Sequence, residues 1–76
     1  MKTYTIFPLE TPFIKDYAEL ETEVSQLVND VLSMPDYSKH RLVNVQVERL
    51  NPKDGEMRYP RGIYTIFVHL IYEPST

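Results

Sequence analysis

The segment Arg58-Tyr59-Pro60-Arg61 carries the residue types best suited to chemistry in this chain. Two guanidinium groups offer charged forks that match the oxygens of a phosphate or carboxylate. The phenol ring between them offers a face on which a planar base can stack. Lys53 lies a few residues upstream, and Tyr37 and Arg41 flank an earlier turn. Arg58, Tyr59, Arg61, Arg41, Tyr37 and Lys53 therefore form a candidate site for a small anionic or nucleotide-like ligand, on condition that the two turns meet in space. The competing reading is a solvated loop whose arginines pair with Asp54, Glu56 or the acidic helix of a neighbour. Surface charge pairs of that kind are common, and this spacing matches no established motif.

Catalytic chemistry finds less support. His69 stands between Phe67 and Ile71 in an apolar run, where a histidine is more often packed or hydrogen-bonded at an interface than used as a base. His40, beside Lys39, follows a helical pattern and suits a position near a helix C-terminus. No serine, histidine and acid form a triad motif, and two glycines are too few for a phosphate-cradling loop. The chain has no cysteine, which removes disulfides and thiolate zinc sites, and its two histidines lie far apart. The expectation is a protein that is not an enzyme and carries no metal or cofactor.

The formal charge of −3 is unevenly spread. Residues 1–38 hold two lysines against seven acids, whereas residues 39–61 hold six basic residues against three acids. An acidic total argues against duplex nucleic acid as a partner, while the basic middle leaves room for a small anion. No stretch approaches the roughly 18 apolar residues of a membrane span, and the N-terminal residues lack a signal peptide's apolar core. The expected location is the cytoplasm, with no membrane association.

These residues must be positioned by few elements. Seventy-six residues allow one domain, 1–76. Over residues 2–8, Thr and aromatic residues predict a first strand, with Tyr4 and Ile6 on one face and Thr3, Thr5 and Phe7 on the other. Pro8 either ends that strand or places it at an edge. Thr11-Pro12 reads as an N-cap followed by proline in the first turn. Phe13, Tyr17, Leu20, Val24, Leu27 and Val31 then follow at alternating spacings of four and three, predicting a helix over 12–34 that Met34-Pro35 ends. The same spacing suits a coiled-coil seam, but the flanking strand patterns favour a helix lying on its own sheet.

Val43, Val45 and Val47 alternate with Asn44, Gln46 and Glu48, predicting a strand with one dry and one wet face, Leu42 and Leu50 falling on the wet side. Asn51-Pro52-Lys53-Asp54-Gly55 reads as a turn. A last strand over 62–73 is apolar on both faces, with Tyr64, Ile66, Val68, Leu70 and Tyr72 on one and Ile63, Thr65, Phe67, His69 and Ile71 on the other. One helix covers one sheet face only. Phe67, His69 and Ile71 are thus expected at an interface with another copy. A core of this size supplies only about 3–5 kcal/mol, which adds to the case for a homo-oligomer.

The predicted architecture is α+β, a single β-α-β-β domain whose antiparallel sheet carries one long helix on one face. Strand, long helix and two-stranded hairpin in that order resemble the dodecin-like arrangement of small oligomeric flavin binders. Those proteins stack the flavin on tryptophan, and this chain has none. Thr5-Ile6-Phe7, Leu20-Glu21 through Val24 and Leu27, and Phe67 through Ile71-Tyr72 are similar to short acidic sporulation-associated proteins of Bacillus-type bacteria and their phages. That resemblance implies a small bacterial or phage accessory protein. The functional expectation is a homo-oligomer sequestering a small anionic or nucleotide-like ligand at subunit interfaces. The alternative is an interaction module that docks on a protein partner through its acidic helix or an edge strand.

Overall fold

Tyr64, Ile66, Val68 and Leu70 are all but excluded from solvent, and the rest of the fold is arranged around them. The computed structural model describes residues 2–50 and 58–74. Its elements run β1 (Thr3–Glu10), α1 (Tyr17–Leu32), a short 3-10 turn (Pro35–Tyr37), β2 (Arg41–Arg49) and β3 (Tyr64–Tyr72). The sheet order is β1-β3-β2 and both pairings are antiparallel. The class is therefore α+β, one helix with a three-stranded antiparallel sheet. The last strand takes the centre because its run of apolar residues can fill both neighbours' flanks.

One sheet face carries the core. Register places Phe7 opposite Val68, Leu9 opposite Ile66, and Val45 and Val47 opposite Val68 and Ile66. Leu20, Val28 and Val31 of α1 and Ile14 just before it join the β3 residues in one buried cluster. Burying side chains of this type contributes about 1.5–3 kcal/mol each.

The helix begins later than the Thr11-Pro12 pattern suggests. Asp16 is the N-cap, its carboxylate accepting the Glu19 N–H at 2.8 Å, and Glu19 reaches back to accept the Lys15 N–H at 2.7 Å. This reciprocal pair satisfies donors that a helix start leaves open. Residues 11–14 instead stay beside the approach to β3. The Thr11 N–H donates to the Tyr64 carbonyl at 2.9 Å, and Ile14 and Gly62 exchange two backbone bonds at 2.7 and 3.0 Å. The Thr11 hydroxyl accepts the Tyr64 N–H at 3.0 Å, so it cannot serve as a helix cap. Gly62 sits at φ +143, a conformation open to glycine and costly to other residues. Tyr17, in the predicted apolar stripe, lies outside the core and is 56% exposed.

The wet and dry faces of β2 also need correction. The pairing of β2 with β3 shifts register between Leu42 and Asn44. This irregularity moves Leu42 onto the helix side, opposite Leu70, and leaves Val43 unpaired and exposed. β1 extends past Pro8 to Glu10 as an edge strand, which is the location a proline tolerates.

Candidate functional site

Two bands of side chains flank the core, one at each end of β3. At the N-terminal end, the Arg61 N–H donates to the Arg58 carbonyl at 2.8 Å and closes a turn that presents Tyr59. The Tyr64 hydroxyl donates to the Pro60 carbonyl at 2.5 Å and ties the turn to the buried strand. Tyr59 stands with its ring centroid 5.5 Å from that of Tyr17 and 6.2 Å from that of Tyr64. The Arg49 guanidinium lies 5.9 Å from the centre of the Tyr59 ring, and that of Arg61 lies 5.6 Å from the centre of Phe13. Both distances suit cation–π attraction. Burial raises the Tyr64 hydroxyl above its ordinary value, and the neighbouring Tyr59 adds to the shift.

Beside Tyr59 a cleft of about 370 Å³ opens between the helix and β2, lined by Leu20, Glu21, Val24, Ser25, Val47 and Tyr59. Its walls combine apolar side chains and a ring, with one carboxylate at the rim. This end of the molecule holds Arg58, Tyr59 and Arg61 from the predicted constellation. Arg49 belongs to it as well, a residue outside the constellation expected from sequence. The alternation that places Val45 and Val47 on the helix side also carries Arg49 there, and that was the available signal.

Arg41 and Tyr37 do not join this group. Arg41 pairs with Ile71, seven residues along β3 from Tyr64, a separation of roughly 23 Å at strand spacing. Tyr37 packs edge-on against Phe7 at 5.6 Å and against His40 at 5.0 Å, while His40 lies 5.2 Å from Tyr72. A second cleft of about 350 Å³ adjoins these rings, lined by Pro35, Asp36, Ser38, Lys39, His40 and Tyr72. The six-residue constellation thus divides between opposite ends of the sheet, and Lys53 lies outside the described residues. No three His, Cys, Asp or Glu side chains converge on a possible metal position among the described residues.

The sheet face turned away from the helix is the third feature. β3 presents Phe67, His69 and Ile71 there, and β1 adds Tyr4 and Ile6, which are 54% and 50% exposed. β2 completes the face with Arg41, Asn44, Gln46 and Glu48. Tyr4 Oη and His69 Nδ1 share a hydrogen bond of 2.6 Å, and His69 Nε2 is buried without a partner. Apolar groups dominate the β1–β3 half of this face and polar groups the β2 half. None of the chain's described elements covers it.

Comparison with protein-family models, curated proteins and solved structures finds no significant match. Among the described residues, no helix is long and apolar enough to cross a membrane.

Proposed function

We propose that the chain is a non-enzymatic homo-oligomeric binding protein that assembles through its uncovered sheet face. The observation that carries this reading is the apolar half of that face, which no described element covers: exposed Tyr4 and Ile6 with half-buried Phe67 and Ile71 around the Tyr4–His69 pair. Contiguous exposed apolar surface on so small a domain is characteristic of an interaction site. A second copy is the occupant that each chain always has at hand, and a two-fold contact lets the same patch serve both sides.

Ligand binding is assigned to the Tyr59 end. The Arg49 guanidinium over Tyr59, with Arg58 and Arg61 in the turn that presents that ring, suits a small anionic or nucleotide-like ligand, held by charge at the phosphate and by ring stacking at the base. Sequestration by a bacterial or phage accessory protein in the cytoplasm fits both the size of the chain and the resemblance drawn from its sequence. Docking on a different protein is the second reading, favoured by the carboxylates of Glu19, Glu21 and Glu23 along α1.

Native mass spectrometry of the intact chain from its source cells tests both parts. A defined oligomer whose subunit number falls on Phe67→Asp is the expected result, with extra mass lost on joint Arg58→Ala and Arg61→Ala replacement. A folded monomer at micromolar concentration overturns the assembly. Charge reversal across Glu19, Glu21 and Glu23 that releases a protein partner, with the arginine variant silent, supports the second reading instead.

A further inference from the structure

The two edges of the sheet are not equivalent. The Thr11 N–H points into the sheet, toward Tyr64, so alternation along β1 turns the nitrogens of Tyr4, Ile6 and Pro8 outward. Pro8 therefore removes a donor from the middle of that open edge, a known device against unwanted strand pairing. At the other edge, the Leu50 N–H donates inward to the Ile63 carbonyl at 2.8 Å. Alternation then turns the N–H and C=O groups of Val45 and Val47 outward along β2, which contains no proline. The same strand and its end carry Leu42, Val43, Val47 and Leu50, which are 39%, 48%, 41% and 44% exposed. Both edges set exposed apolar side chains beside outward-facing backbone, Tyr4 and Ile6 on β1 among them, but only the β2 edge does so without a proline in the strand.

We infer that β2 pairs antiparallel with β2 of a second copy about a two-fold axis at Gln46, joining two three-stranded sheets into one of six strands. This inference rests on the homo-oligomer reading but uses a different surface from the uncovered sheet face. The occupant follows from the strand's self-complementarity. An axis at Gln46 sets Val45 against the second copy's Val47 on the helix side. On the opposite face it sets Asn44 against Glu48 and Gln46 against Gln46, all able to hydrogen-bond. Neighbouring registers are worse. An axis at Val45 draws Arg41 toward Arg49, and one at Val47 sets Val45 against Arg49. Like charges and apolar–charged pairs oppose those arrangements. The Gln46 register has no like-charge pair, confines its apolar–charged contact to Val43 and Arg49 at the irregular end of the strand, and lets its two Val45–Val47 pairs exchange four backbone hydrogen bonds.

Amide hydrogen exchange on the unmodified chain reads this edge directly. In a lone chain no described strand pairs with the outward amides of Val45 and Val47, nor with those of Tyr4 and Ile6. The expected result is exchange at Val45 and Val47 more than about tenfold slower than at Tyr4 and Ile6, with protection rising with protein concentration. Equal exchange at the two edges overturns the inference, even if the protein is an oligomer through its sheet face. A second measurement uses the absence of native cysteine. Gln46→Cys places two thiols at a non-hydrogen-bonded pair, where Cα atoms lie about 4.5 Å apart, within disulfide reach. Mild oxidation is expected to link Gln46→Cys chains both with and without Phe67→Asp. Failure to link overturns the edge pairing, and so does linkage that Phe67→Asp abolishes. Mixing chains carrying Val45→Cys with chains carrying Val47→Cys tests the helix side independently, with the mixed disulfide as the expected product and free thiols as the refuting one.

Discussion

Replacing Thr11 with valine isolates the contribution of one buried hydroxyl. Thr11 is only 4% exposed, and its Oγ1 accepts the Tyr64 N–H at 3.0 Å while donating to the Pro12 carbonyl at 2.8 Å. Valine keeps the shape and removes both bonds. The Tyr64 amide then sits unsatisfied at the head of the central strand, beside a side chain that is 1% exposed. Leaving one buried donor without a partner costs about 1–3 kcal/mol, so a loss of about 2 kcal/mol is expected. For a domain of this size that lowers Tm by about 8–16 °C. Thr11→Ser keeps both hydrogen bonds and loses one methyl group, about 0.8 kcal/mol. The two variants therefore separate polar satisfaction from packing. Circular dichroism during thermal and urea unfolding reads the difference, at one fixed protein concentration because self-association raises apparent stability. Valine within about 0.5 kcal/mol of the parent, or serine less stable than valine, refutes the claim that the hydroxyl completes the β1–β3 ladder.

Asp16→Ala removes the carboxylate that caps α1, and a loss of about 1 kcal/mol is expected in the same unfolding assay, with Asp16→Asn recovering most of it. Tyr64 couples stability to alkaline pH. Its hydroxyl titrates above the ordinary 10.0 in the folded chain, so the unfolded state releases the proton first. That contribution is complete below about pH 10 and declines as pH rises through the folded value. Tyr64→Phe is expected to be about 1 kcal/mol less stable at neutral pH, through the lost bond to the Pro60 carbonyl, and to lose stability less steeply than the parent above pH 10. Parallel pH curves for the two proteins refute the coupling.

Much of the fold was legible in residue patterns. The core needs only period two in the strands and an apolar stripe in α1, and both repeat along the sequence. The bare second face was legible too, because Phe67 and Ile71 have no second helix to cover them. The helix start departs from its local pattern because Thr11-Pro12 satisfies a capping rule, while a buried amide 53 residues away has the stronger claim on the Thr11 hydroxyl. Leu42 lies on the face opposite to the one alternation predicts, because a register shift reverses that alternation without any mark in the side chains around it. The candidate site divided for a similar reason. Arg41 and Arg58 are close in type but are held at opposite ends of β3 by strand length.

The sequence by itself determined the element types, the amphipathic helix and the two-faced apolar last strand, since these follow from spacing along one chain. The tertiary structure alone decided that β3 lies in the centre and that Arg49 rather than Arg41 accompanies Tyr59. It also placed Pro8 on one sheet edge and the proline-free β2 on the other. Strand order and hydrogen-bond parity depend on which partner each backbone group finds across the sheet. That choice is made by long-range satisfaction of buried polar groups, and local pattern carries no record of it.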